Sequence, residues 1–122
     1  MTGQQIYVLA SSFLYERDGE DADSKHFAVG FINILLQEAL PCENSNRKSD
    51  GQELLRLAPT INSLDEEIPY HEEILRVAFP YGLAAWYFAE AMDNYHESFY
   101  RNKFLAALED ATKTNEGIVE GW

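Results

Sequence analysis

Apolar residues recur at steps of three and four along most of the chain, and the places where the pattern lapses divide it into helices and connections. Ile6, Leu9, Ala10, Phe13 and Leu14 make the first stripe. Thr2 and Gln5 ahead of it have the spacing of a capping box, so the pattern predicts a helix of about 12–14 residues that stops near Arg17. Residues 18–23 carry four acids and an Asp-Gly pair with no large apolar side chain, and read as a solvated loop. Phe27, Val29, Phe31, Ile32, Leu35, Leu36, Ala39 and Leu40 predict a second helix, capped by Asp23 or Ser24 and ended by Pro41. Gly30 inside it implies close approach by a neighbouring helix or ring. Residues 42–52, rich in Asn and Ser, read as a mobile connection.

Residues 53–63 support two readings, a helical turn from Leu54, Leu55 and Leu57 or an extended piece at Pro59-Thr60-Ile61. Residues 64–70 form an acidic approach to a helix, with Pro69 near its first position. From Tyr70 to Met92 the pattern is helical and, beyond Arg76, apolar on every side, which places this helix at the centre of a bundle or against other subunits. Pro80 predicts a kink or brief break. Asn94 and Glu97 have capping-box spacing before a last helix. Its inward face would be Phe99, Tyr100, Phe104, Leu105 and Leu108, its outward face Arg101, Lys103, Glu109 and Asp110, and its end Thr112. The expected fold is all-α: a small bundle of about four helices over residues 1–112, with a kinked, buried third long helix and a flexible C-terminal tail over 113–122.

The length of 122 residues suits one domain. The longest apolar run, residues 77–89, falls short of the roughly 20 residues that span a bilayer. With 21 Asp and Glu against 9 Lys and Arg, the net charge of −12 opposes binding to nucleic-acid backbones and to anionic lipid surfaces. Cys42 is the single cysteine, which excludes an intrachain disulfide and suits a reducing compartment. Met1 to Gln5 lack the basic start of an export signal.

Candidate chemistry is sparse. Asp23 with His26, and Asp93 with His96, have the i,i+3 spacing by which bundles present metal ligands, but both pairs stand at helix starts where Asp serves as a cap. Glu67 with His71, and Glu72 with Arg76, are ordinary surface pairs. The zinc-protease, calcium-loop, phosphate-loop and nucleophile-elbow patterns are missing, so the reading is a non-enzyme without cofactor or metal. Aromatic density is the more telling feature. Tyr70, Phe79, Tyr81, Trp86, Tyr87, Phe88, Tyr95, Phe99, Tyr100 and Phe104 lie within 35 residues, more than a slender bundle hides with ease. Tyr81, Trp86, Tyr87, Tyr95 and Tyr100 are the candidate subunit interface, as rings favoured where one edge is buried and the other meets polar groups.

The stretch 64–84, with its acidic approach, Ile68-Pro69-Tyr70 and Pro80-Tyr81-Gly82-Leu83-Ala84, resembles small helical head-tail connector proteins of tailed bacteriophages and prophages. Tyr100-Arg101-Asn102-Lys103-Phe104 is similar to the start of their closing helix, and residues 31–40, with Asn33 among aliphatics, to their second helix. The acidic loop after the first helix and the tail depart from that pattern. The resemblance implies a structural subunit that forms a homo-oligomeric ring at the portal and joins the DNA-filled head to the tail. Its partners would be its own copies, the portal protein and a tail or stopper protein, with no sequence-specific nucleic acid and no membrane. Its place would be the virion, after assembly in the bacterial cytoplasm. Ile118, Val119 and Trp122 would form a docking tail, and acidic residues facing the ring's lumen would let DNA pass. The competing reading is an acidic protein-interaction module, a DNA mimic or an inhibitor of a nucleic-acid-binding protein.

Overall fold

A computed structural model describes residues 1–14 and 22–113, with side chains from residue 25 onward in the second stretch. Among these residues the chain is a helical bundle of α1 (Gly3–Ser11), α2 (Ala22–Asp50), α3 (Phe79–Glu90) and α4 (Asn94–Ala111). A π-helical turn, Ile74–Ala78, runs directly into α3. The all-α class is the one the periodicity predicts.

α1 starts on the expected capping box: the Thr2 hydroxyl accepts the Gln5 N–H at 3.2 Å, and the Gln5 carboxamide accepts that of Thr2 at 2.9 Å. The helix closes at Ser11, well before Arg17. The hydroxyls of Ser11 and Ser12 turn back onto the carbonyls of Val8 and Leu9, a local alternative to helical propagation, and Phe13 and Leu14 follow in turns.

α2 is the largest departure from expectation. It continues nine residues past Pro41, so residues 42–50 are helix and not a mobile connection. Pro41 sits on the exposed side of the helix, away from the core. The buried stripe meanwhile keeps its phase and changes chemistry: Ala28, Ile32, Leu35, Leu36 and Ala39 give way to Glu43 and Asn46, both fully enclosed. Gly51, at φ 77°, ends the helix, with the Gln52 N–H reaching back to the Arg47 carbonyl at 2.8 Å. Asp23 and Ser24 lie inside the helix rather than at its cap, which begins at Ala22. Gly30 faces open space, so no neighbour requires it. The close approach is at Gly82, where an added Cβ would lie 2.7 Å from Leu35 and 2.8 Å from Phe104.

Residues 51–71 are irregular and lie along the bundle. Thr2 and Glu67 form an isolated antiparallel bridge, and the Gln4 N–H bonds the Leu64 carbonyl at 2.8 Å. Helix does not begin at Pro69. The His71 N–H is instead held by the Glu43 carboxylate at 2.7 Å, and the Tyr70 hydroxyl donates to the Leu36 carbonyl at 2.6 Å, so α2 sets the angle at which the third helix starts. The break expected at Pro80 appears just before it as the π turn, in which the Phe79 N–H reaches the Ile74 carbonyl. α3 is buried on nearly all sides and packs on α1, α2 and α4, as its apolar circumference predicts.

α4 is capped one residue earlier than the Asn94–Glu97 spacing suggests. The Asp93 carboxylate accepts the His96 N–H at 3.1 Å and the His96 Nδ1–H at 2.8 Å, so this Asp-x-x-His is a cap. Its inward face is Phe104, Ala107 and Leu108, while Phe99 and Leu105 are exposed. Arg101 does not point away: it clasps the Glu38 carboxylate through both terminal nitrogens, at 2.9 and 2.8 Å.

Candidate functional site

The helix α3 distributes its consecutive rings around its axis, and the three sides meet different fates. Tyr87, at 1% exposure, is core: its ring stands edge-on to Phe31 at 5.1 Å and to Tyr7 at 6.4 Å. It is therefore not an interface residue. On a second side, half-buried Trp86 stacks on Phe31 at 5.6 Å, and Phe31 on Phe27 at 6.3 Å. A groove of about 320 Å³ opens beside it, lined by Glu38, Ala85, Trp86, Ala89, Glu97 and Arg101.

On the third side five rings form a continuous ladder. His96 lies on Phe88 at 5.0 Å, Phe88 on Tyr100 at 5.6 Å, Tyr100 against Phe13 at 5.2 Å, and Phe13 on Tyr81 at 5.1 Å. Offset stacking of this kind contributes about 0.5–1.5 kcal/mol per pair beyond burial. The ladder thus ties α3 and α4 to the turn that follows α1 while leaving Tyr81 and Tyr100 only partly buried. The Lys103 ammonium stands 5.7 Å over Tyr81 and 5.2 Å over Phe99, a cation–π arrangement at the rim. Of the predicted interface set, Tyr81, Trp86 and Tyr100 are shared between the fold and the surface, and Tyr95, 75% exposed, belongs to the surface. Ile118, Val119 and Trp122 lie outside the described residues.

A polar junction at the far end of α2 was not visible in the sequence. Glu43, 1% exposed, accepts from Arg47 Nε at 2.7 Å and faces the His71 ring at 3.1 Å. The other ring nitrogen of His71 meets Asp50 at 2.7 Å, and Asp50 also binds the Lys113 ammonium at 3.0 Å. With a carboxylate at each nitrogen, the ring is satisfied only when both carry protons. Burial works to lower the His71 pKa, but the hydrogen bonds and charges of Asp50 and Glu43 outweigh it and the net direction is upward. The two carboxylates meet opposite sides of the imidazole and so do not converge on one point. Among the described residues no group of His, Cys, Asp or Glu is placed to hold a metal ion. Glu67, paired with His71 by spacing alone, makes no bond to it, whereas Glu72 and Arg76 do pair.

Three asparagines of α2 hold the neighbouring chain by mimicking backbone. Asn33 donates to the Ile61 carbonyl at 3.0 Å and accepts its N–H at 2.8 Å; Asn44 does the same with Leu55, at 2.9 Å each way. Asn46 donates to the Ala111 carbonyl at 2.9 Å and accepts the Lys113 N–H at 2.6 Å. The Ser45 hydroxyl takes the Lys113 carbonyl at 2.6 Å. Lys113, placed in the tail by composition, is thus bound to α2 by backbone and side chain. The signal in the sequence was the phase of the stripe, which runs from Ala39 to Glu43 to Asn46 if Pro41 is allowed inside the helix.

Among the described residues no helix is long and apolar enough to cross a membrane. Comparison of the chain with family models, with curated proteins and with solved structures gives no match.

Proposed function

We propose that this chain is a structural subunit of virion assembly, a head-tail connector that forms a ring at the portal and joins the DNA-filled head to the tail. The observation that carries the reading is the aromatic surface built on α3 and α4. Its rings are too well stacked to be loose core, yet Tyr81 and Tyr100 remain only partly buried along one side of a rigid bundle. Such a preorganised face suits side-by-side packing of identical subunits, because little side-chain entropy is lost on contact. Residues 64–84, which carry the resemblance to connectors, supply the π turn and the start of α3 on which this face is mounted. The tail with Ile118, Val119 and Trp122 would make the vertical contact, leaving from Lys113 at a fixed point on α2.

The acidic-module reading is less well supported. Glu38, Glu43, Asp50, Glu66, Glu72 and Asp93 each bind a donor within the chain, so part of the acidity serves the fold instead of forming a free strip. A ring lumen would draw its acids from the loop of residues 18–23 and from residues 65–67; of these, residues 18–21 lie outside the described residues, and Asp65 and Glu67 are exposed.

Removal of the gene from its phage or prophage tests the proposal. The expected lysate holds DNA-filled heads and separate tails, restored to joined particles by the gene supplied in trans; intact particles without it contradict the reading.

A further inference from the structure

A ring of identical subunits needs two different faces that fit each other, because a face that meets its own copy across a two-fold axis closes a dimer. The side bearing Tyr81 and Tyr100 supplies one of them. Its charge is Lys103, whose ammonium stands over the Tyr81 and Phe99 rings. Arg47, Arg76, Arg101 and Lys113 are each taken up by a carboxylate of the same chain, whereas Lys103 pairs with none among the described residues. Two copies joined through this side alone would bring lysine towards lysine, so its complement lies elsewhere on the molecule.

The groove beside Trp86 has the complementary make-up. Six residues of helix set Glu97 and Lys103 about 120° apart around α4, so the groove and the aromatic side lie on opposite flanks of that helix. Glu38 spends both carboxylate oxygens on Arg101. Glu97 shares the groove and forms no ion pair among the described residues, which leaves the hollow a surplus negative charge beside an indole ring and two alanines. A lysine suits such a place, with an aliphatic stem for the apolar wall and an ammonium for the carboxylate. Two other hollows lack this feature. In the one beside His71 the Glu43 carboxylate is already shared by Arg47 and the imidazole, and the one lined by Val8 and Leu9 has Arg76 and no acid in its wall.

We propose that the aromatic side of one copy packs on the Trp86 groove of the next, with the Lys103 ammonium of the first entering the groove of the second towards Glu97. The two flanks of α4 then belong to successive contacts around the ring. An unlike pair at each contact also offsets the repulsion between chains that each carry a net charge of −12. The inference rests on the connector reading, to which it adds the face that the aromatic ladder meets.

Sedimentation velocity of charge-reversed copies, alone and with the portal protein, tests the pairing. Lys103→Glu and Glu97→Lys should each weaken association between copies at least about tenfold, with circular dichroism showing both folded. An equimolar mixture of the two should assemble again, because every contact between unlike variants joins a Lys to a Glu. Glu97→Gln keeps the shape and adds no base, so it should weaken association less than Glu97→Lys and serves in its place if the reversal unfolds the helix start. Lys48→Glu, the same change in net charge at an exposed site ten residues along α2 from Glu38, leaves association unchanged. Association that survives both reversals, or a mixture that stays apart after each variant alone has lost assembly, overturns the inference and leaves the ring reading standing. Loss of portal binding in Glu97→Lys while its copies still associate gives the groove to the portal and overturns it as well. A parent chain that associates neither alone nor on the portal removes the connector reading, and this inference with it.

Discussion

His71 shows how a single side chain can couple distant parts of this chain and make its stability depend on pH. Its ring joins Glu43 to Asp50, and Asp50 in turn holds Lys113, so one imidazolium links α2, the start of the third helix and the end of the described chain. Because the folded pKa lies above the ordinary 6.5, this contribution is fully present below about pH 6.5 and is lost as pH rises through the raised value. Asp50 behaves in the opposite sense. Its hydrogen bond to His71, then that to Lys113, hold its pKa below the ordinary 3.8, so its part is present above that value and lost as pH falls through the depressed one. Urea unfolding across pH should therefore give a plateau between about pH 4 and 6.5 and a decline on the alkaline side. His71→Gln should remove the alkaline decline and lower the plateau by about 1–3 kcal/mol, since buried Glu43 loses a charged donor. An unchanged alkaline limb in that variant would mean that His71 is not the group responsible.

At the scale of elements, what could be read from the sequence was what local chemistry decides. The Thr2 and Gln5 cap, the interruption at Pro80 and the burial of α3 all follow from neighbouring residues, and all are present. Tertiary contacts decided the rest. Pro41 ordinarily ends a helix, yet here the nine residues beyond it are held by Asn44 on Leu55, Asn46 on Ala111 and Lys113, and Glu43 on His71. Side-chain partners far along the chain leave no local trace, so a polar run that reads as a loop is in fact a helix facing polar backbone. The partners of the junction and of the asparagine clamps were illegible for the same reason, although the phase of the stripe marks Glu43 and Asn46, whereas the aromatic face was legible in outline. Its members were found by composition, but which of Trp86, Tyr87 and Phe88 turns inward depends on the π turn that resets the phase of α3. Two substitutions separate these effects. Pro41→Ala should raise stability by about 1–3 kcal/mol, because it restores a helical hydrogen bond at an exposed position. Asn44→Ala should lower it by a similar amount, about 1–3 kcal/mol, and should increase amide exchange at Leu55, which loses both partners. Equal stability of Pro41→Ala and the parent would show that the helix already accommodates the ring without cost.

The whole molecule combines a stiff centre with an aromatic outward surface. α3 is enclosed, the aromatic ladder fixes α4 and the turn after α1 to it, and the asparagine clamps hold residues 52–63 along α2. Rigidity of that kind is what a ring subunit requires, since each copy must present the same angle to the next for the circle to close. The side bearing Tyr81 and Tyr100 is the one suited to contact with further copies. The most direct measurement is sedimentation velocity with electron microscopy of the purified chain, alone over a wide concentration range and mixed with the portal protein of the same genome. The account predicts closed rings of a single copy number, formed alone or on the portal. A chain that remains monomeric throughout and does not bind the portal would contradict it.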